Sequence, residues 1–330
     1  MKNYNPGIGI LKFFAAFLVV WIHLGVRGVG DPHVEQFTIY SDALCRIAVP
    51  LFFIITGYYY IDIEQRIKPK LKKIILTTIS VAIVYAGIFL LNHSNSSTFT
   101  PNSTWFFKFL LFNNFSPIGI HLWYLFALIY SLFFIRILRK HVSDNNLYII
   151  ALSLLITGCL INYTSYNEYV RNWIFIGIPN ICLGLFLRQR FHYNQIRKIS
   201  LTCFILLVLL FLEVYLRRQL HIEAGRDLFI VQSFLAGGVI LLIVNQPIKN
   251  TGVIALCGRL GKHSDSIYYF HLAVYAFIVS IVSFDSPLMI IIRPFITFIL
   301  TLALSIAFTK IITLFKSLIN KENLSKNTSI

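Results

Sequence analysis

Apolar runs of about 17–25 residues, the length a membrane helix needs, recur along this chain between short polar and basic segments. Nothing else in the sequence constrains the fold as tightly. A bilayer core offers no water to backbone N–H and C=O groups, so a run of this length must satisfy its own hydrogen bonds as an α-helix or join a closed barrel. The runs show no sustained polar–apolar alternation, which excludes barrel strands and leaves helices. Ten spans are expected, at roughly 8–25, 43–61, 72–91, 121–138, 147–162, 172–188, 199–216, 227–245, 264–283 and 288–315. Composition agrees: 57% of the 330 residues are hydrophobic and only 13% charged, far less charge than a soluble domain carries. The sequence therefore reads as an all-α integral membrane protein of about ten transmembrane helices. One membrane domain covers residues 1–316, and a short polar tail, 317–330, is expected to fray. The first span is not read as a secretory signal, because it lacks a small-residue cleavage site and carries polar groups at both ends. No internal repeat and no soluble domain is visible.

A formal net charge of +16 would point to nucleic acid in a soluble protein, but its distribution gives it another meaning. With a cytoplasmic amino terminus, twenty of the 29 basic residues fall in cytoplasmic segments. Six lie in the opposite loops: Arg27, Lys108, Arg171, Arg217, Arg218 and Arg226. Lys12, Arg46 and Arg293 stand within spans or at their rims. The asymmetry alternates loop by loop, as the positive-inside rule requires, and places both termini in the cytoplasm. The basic excess thus orients the chain and meets anionic lipid headgroups; no nucleic-acid partner is expected. The cysteines, Cys45, Cys159, Cys182, Cys203 and Cys257, show no C-x-x-C and no metal-ligand spacing, and read as small packing residues. The longest exterior loop, 92–120, holds two glycosylation-type triplets, at Asn95 and Asn102, and an amphipathic piece, Trp105 to Phe112, suited to a membrane surface.

Ionisable and polar residues inside spans are costly in lipid, so each is a functional candidate by default. Lys12 and His23 are eleven residues apart on the first span; at about 100° per residue they share one face, separated by about 16 Å of rise. On the expected topology Lys12 lies in the inner third and His23 in the outer third. Asp42 and Arg46, four apart, open the second span from outside and can pair. His121 and Trp123 open the fourth, and Glu213 stands near the outer end of the seventh. Ser264, Tyr268, His271 and Tyr275, spaced 4, 3 and 4, make a polar stripe along the ninth. Each has a structural reading too: snorkelling for Lys12, interfacial anchoring for His121 and Trp123, a plain ion pair for Asp42–Arg46, packing for the tyrosines. Their joint convergence on the outer half argues for a polar cavity. An imidazole there could act as general base toward a hydroxyl, and the deep cation could receive an anionic donor such as the phosphates of coenzyme A. The same groups could relay protons in a transporter.

Four segments carry a recognisable pattern: Lys12 to His23 with ten residues between; Arg46-Ile-Ala-Val-Pro-Leu-Phe-Phe-Ile-Ile-Thr-Gly-Tyr58; His121-Leu-Trp-Tyr-Leu125; and Leu260-Gly-Lys-His-Ser-Asp-Ser-Ile-Tyr-Tyr-Phe-His271. In this order they resemble the acyltransferase 3 family, especially small members such as the O-acetyltransferases of enterobacterial common antigen. They are also similar to the membrane half of membrane-bound serine racemases. The resemblance implies a ten-helix domain in a bacterial cell membrane that takes acetyl, or another short acyl group, from cytoplasmic acyl-coenzyme A. The group passes to a hydroxyl of an extracytoplasmic or lipid-linked glycan, with no resident cofactor. It also implies that Lys12 fills the family's essential basic position, on the donor side, and His23 its essential histidine, the catalytic residue. Arg46, His121, Trp123, Glu213, Ser264, Tyr268 and His271 are then expected to shape the acceptor pocket. The family usually has Arg in place of Lys12, an acidic residue in place of Gly9, and Ser in place of Thr56. Two other readings stay open: a permease for a small polar substrate such as an amino acid, and a subunit of a polysaccharide export assembly without acyl chemistry.

Overall fold

The computed structural model describes residues 5–26, 30–92, 103–112, 120–191, 195–222, 224–246, 251–284 and 286–327. Asn95, Asn102, Arg27, Lys2 and Lys249 lie outside them. The described residues are built from helices: α1 Pro6–Leu24, α2 Pro32–Cys45, α3 Ala48–Tyr58, α4 Tyr60–Glu64, α5 Ile67–Asn92, α6 Ser103–Phe112 and α7 Trp123–His141. There follow α8 Asp144–Asn162, α9 Ile178–Arg190, α10 Ile196–Gln219, α11 Gln232–Asn245, α12 Gly252–Leu260, α13 Ser264–Val279 and α14 Pro287–Asn327.

Local chemistry sets the helix ends. The Asn5 side chain accepts from the Gly7 N–H at 2.9 Å and Pro6 occupies the first turn of α1, where its missing N–H costs nothing. Asp31 and Pro32 repeat the device on α2, Asp31 accepting from His33 at 2.8 Å and Val34 at 3.1 Å.

Six helical segments are long and apolar enough to cross a membrane: Pro6–Leu24, Pro32–Tyr58, Ile67–Leu90, Asp144–Asn162, Ile196–Gln219 and Pro287–Ile311. The second of these is not one straight span, because the helix breaks at Arg46–Ile47 between α2 and α3. The other four expected spans are not among these six. The 121–138 segment becomes α7, whose last turn carries Arg139, Lys140 and His141. The 172–188 segment opens as a π-helical turn, Trp173–Gly177, before the 13-residue α9; the Asn172 carboxamide oxygen takes the Ile174 and Phe175 N–H groups at 2.7 and 3.0 Å. The 227–245 segment shortens to the 14 residues of α11, because side chains claim the preceding backbone. The Asn162 amide donates to the carbonyls of Gly225 at 3.0 Å and Leu228 at 2.7 Å, and Arg217 donates to the same two at 2.9 and 3.1 Å. The ninth, 264–283, is the 16-residue α13. Irregular backbone of this kind is tolerated in a membrane protein where it is buried in protein or lines a polar cavity. The tail expected to fray is instead helical through Asn327, as a continuation of α14.

Helices α1, α3, α7, α9, α11 and α13 supply the centre of the bundle through Ala15, Ala16, Val20, Phe53, Ile54, Leu132, Ile181, Leu185, Ile240 and Ile267. Helices α5, α8, α10 and α14 turn apolar side chains outward, Ile83, Leu90, Leu160, Phe204 and Phe308 among them, as a lipid-facing surface requires. Lipid tails remove the hydrophobic drive between helices, so close packing must hold them together. Gly57 and Gly184 provide it at the α3–α9 crossing, where a Cβ would overlap the carbonyls of Ile181 and Ile54 respectively. Gly261 does the same against α1, where a Cβ would meet the Gly9 carbonyl.

Candidate functional site

Three imidazoles meet where α1, α7 and α13 converge. His23 is in the last turn of α1, His121 in the 3-10 turn that starts α7, and His271 midway along α13. The His23 ring lies 5.3 Å from that of His271 and 6.2 Å from that of His121, and His121 and His271 are 5.4 Å apart, centroid to centroid. His271 Nδ1 sits 2.9 Å from the Tyr268 carbonyl and 3.1 Å from that of Ile267. A carbonyl only accepts, so in the neutral ring this nitrogen carries the proton and Nε2 keeps the lone pair. His121 has the opposite tautomer: Nε2 faces the Tyr269 carbonyl at 3.4 Å, leaving the lone pair on Nδ1. Both lone pairs, His271 Nε2 and His121 Nδ1, are buried without a donor among the described residues. Among those residues no group of three or more His, Cys, Asp and Glu has the geometry to hold a metal ion.

The Tyr269 carbonyl is available to His121 through an arrangement across two helices. Tyr85, on α5, donates its hydroxyl proton to that carbonyl at 2.9 Å and accepts from the Ala273 N–H at 3.1 Å. These are the two backbone groups that a regular helix would bond to each other. The Tyr85 ring packs edge-on against His121 at 4.6 Å. Tyr268 braces the histidine from its other side, donating its hydroxyl to the His121 carbonyl and setting its ring 5.2 Å from Tyr124.

A cavity of about 490 Å³ opens over this floor. It is lined by the buried His121, Trp123, Tyr268 and Gln232, the part-buried His23, Arg46, Arg171 and Asp227, and, at its exposed rim, Glu168 and Arg226. His271 stays behind the wall, fully buried. Arg46, at the α2–α3 break, bonds Asp42 at 3.0 Å and Asp227 at 2.5 Å. Gln232 fastens that corner, donating to the Arg46 carbonyl at 2.6 Å and accepting from the Phe229 N–H at 2.9 Å.

Five of the nine residues proposed from sequence thus share one cavity, His23, Arg46, His121, Trp123 and Tyr268, with His271 in contact behind it. Three do not reach it. Lys12 is half-buried on the same helix as His23, three turns away, and has no ion-pair partner among the described residues. Glu213 is taken up in packing: it pairs with Arg217, accepts the Tyr163 hydroxyl at 2.6 Å and caps the Ile230 N–H at 3.0 Å. Ser264 is buried at the start of α13, two turns from His271, beside Asp265 at 3.5 Å. Sequence reasoning missed Glu168, Asp227, Gln232 and Tyr85. Arg171 and Arg226 were visible only as basic residues on the side where such residues are few.

An all-helical, multi-pass membrane protein with a histidine-floored cavity between its helices is the class these observations define. The chain belongs to the acyltransferase 3 family: the profile of that family's acyltransferase domain matches residues 5–310. It is a membrane acyltransferase. Among characterised proteins it is similar to an amino-acid racemase of Enterococcus faecalis, 27% identical over 213 residues, which are 56% of this chain and 29% of the racemase. A serine/alanine racemase of Enterococcus gallinarum is 27% identical over 235 residues, 63% of this chain and 33% of the racemase. The matched region therefore spans about a third of each relative's length. No solved structure matches the chain.

Proposed function

We propose that this acyltransferase moves a short acyl group, acetyl first among candidates, from cytoplasmic acyl-coenzyme A to a hydroxyl of an extracytoplasmic or lipid-linked glycan. Its setting is a bacterial cell membrane, with ten passes, both termini in the cytoplasm and the cavity facing outward. The observation that carries this reading is His23 on the cavity wall beside His121, which also lines the cavity and whose Nδ1 has no donor among the described residues. A hydroxyl supplies the donor such a nitrogen lacks. His23 then takes the hydroxyl proton as the oxygen attacks the thioester carbonyl; the carbon–sulfur bond breaks, and the proton passes to the departing thiolate. The products are the O-ester and free coenzyme A. Lys12 serves the donor from the cytoplasmic side, about 16 Å of helix below His23, a span suited to an extended pantetheine arm. Arg46, His121, Trp123, Tyr268 and His271 shape the acceptor pocket and hold His23; Glu213 and Ser264 support it from a distance.

Labelled acetyl-coenzyme A supplied to inverted vesicles tests the reaction: label should appear on lumenal glycan. His23→Ala should reduce transfer by about 10²–10⁴-fold, the usual contribution of a general base. An inserted, folded His23→Ala protein that transfers at the parental rate refutes the assignment. The racemase names of the Enterococcus relatives favour one second reading, a permease for an amino acid. Uptake of serine by the vesicles with no transfer of label would select it.

A further inference from the structure

Two of the cavity's arginines keep donors that the neighbouring carboxylates leave largely unspent, and this bears on what kind of acceptor enters. The lining cations are Arg46, Arg171 and Arg226, and the lining anions Glu168 and Asp227. Arg46 is held by two carboxylates, its Nε on Asp42 and its Nη1 on Asp227. Glu168 turns to Lys108, 3.5 Å away. Arg171 has only the far oxygen of Asp227, at 3.9 Å, too long for a hydrogen bond. Arg226 has no ion-pair partner among the described residues. Two guanidiniums, one from the loop after α8 and one from the loop after α10, therefore face the same opening with their donors largely unspent. Each presents a planar fork matched to a phosphate or carboxylate.

Building on the acyl-transfer reading, we propose that the acceptor is an anionic saccharide, whose phosphate or carboxylate is bound by Arg171 and Arg226 while its hydroxyl reaches the histidine floor. The cavity's 490 Å³ lies within the range of small-molecule sites. The fixed rim helps: Gln232, Asn162 and Arg217 hold the Arg226 loop by its carbonyls and by the Phe229 N–H, so little ordering remains for binding to impose. The phosphate could also belong to a membrane phospholipid headgroup, and the experiment separates the two sources.

Purified protein in phosphatidylcholine nanodiscs is given acetyl-coenzyme A with matched probes, glucose against glucose 6-phosphate and glucose against glucuronate. Free thiol release reports transfer, and calorimetry reports binding of each sugar. The anionic member of a pair should bind at least 10-fold more tightly, or show a KM lower by that factor. Arg226→Gln and Arg171→Gln should each collapse the preference toward unity. Arg226 is exposed and has no ion pair to lose among the described residues, so its variant should fold; Arg226→Lys, which keeps the charge without the fork, should retain part of the preference. Equal binding of neutral and anionic sugars, or a preference untouched by both glutamine variants, overturns the proposal. So does an Arg226 dependence that appears only when phosphatidylglycerol is added to the discs, which would assign the arginines to lipid. If no sugar releases thiol from the parent but glucose 6-phosphate still binds through Arg226, the transfer reading fails while the anion site stands.

Discussion

Tyr85→Phe is the substitution that best separates the histidine floor from the packing around it. Phenylalanine keeps the ring that packs on His121 at 4.6 Å and removes only the hydroxyl that bridges Ala273 N–H and the Tyr269 carbonyl. Two hydrogen bonds are lost. The two backbone groups are one helical turn apart, so they can bond each other and recover one. With the long His121 bond that goes with them, the net loss is one to two neutral hydrogen bonds, about 1–2 kcal/mol, a shift of a few degrees in thermal midpoint for a protein this large. The effect on the site is larger in kind. A Tyr269 carbonyl drawn back into the helix no longer accepts from His121 Nε2, 3.4 Å away in the parent, and nothing then fixes which nitrogen keeps the lone pair. Losing about 1 kcal/mol of tautomer preference lowers transfer by about 5-fold. Imidazole ¹⁵N shifts of the protein in nanodiscs read the tautomer directly: His121 should be Nε2-protonated in the parent and mixed in the variant. A variant with parental ¹⁵N shifts and parental transfer would refute the argument, and a large loss of stability with an unchanged tautomer would assign Tyr85 to packing alone.

Other expectations follow from the same geometry. Lys12→Ala should weaken acetyl-coenzyme A binding measured by calorimetry, while Lys12→Arg should retain or improve it by restoring a phosphate fork; parental binding by Lys12→Ala would refute the donor role. Glu213→Gln should lower the melting temperature, because its partner Arg217 is only 11% exposed and loses its buried counter-charge, while the KM for acceptor stays at the parental value. Gly57→Ala places a methyl against the Ile181 carbonyl and should destabilise the α3–α9 crossing by about 1–3 kcal/mol, read by unfolding in detergent. Arg46→Ala should be the most damaging of the rim variants, since it leaves Asp42 and Asp227 without the cation they share.

The sequence disclosed the helical class and most of the cavity floor because both rest on local periodicity. Tyr268 and His271 are three residues apart on one helix, so helical geometry alone keeps them on one face. Hydropathy then says which residues are out of place in lipid. The breaks were not legible for the same reason. An apolar window averages over Arg46–Ile47, and over Trp173–Gly177, whose π turn depends on the single side chain of Asn172. The start of α11 at Gln232 rather than near residue 227 depends on Asn162 and Arg217, which are distant or outside the window. Glu213 misled because a carboxylate near a span end looks the same in sequence whether it faces a cavity or a neighbouring arginine.

The rim shows where such reading runs out. Arg46 and Asp227 are 181 residues apart, and no spacing rule joins a helix break to a loop so far along the chain. Tyr85 lies on a lipid-facing helix, where a tyrosine reads as one more interfacial aromatic. Its role depends on a backbone carbonyl of another helix, a group every residue has and no sequence singles out. The residues that name the chemistry, the histidines, are therefore those a sequence exposes. The residues proposed to set the protonated nitrogen and the charge of what enters, Tyr85, Arg171 and Arg226, would act through geometry that only the assembled bundle creates. Exchanging the rim arginines should consequently change which acceptor is used while the tautomers of the floor, read by ¹⁵N shifts, stay as they are; a tautomer change at His121 in Arg226→Gln would show that rim and floor are not separable.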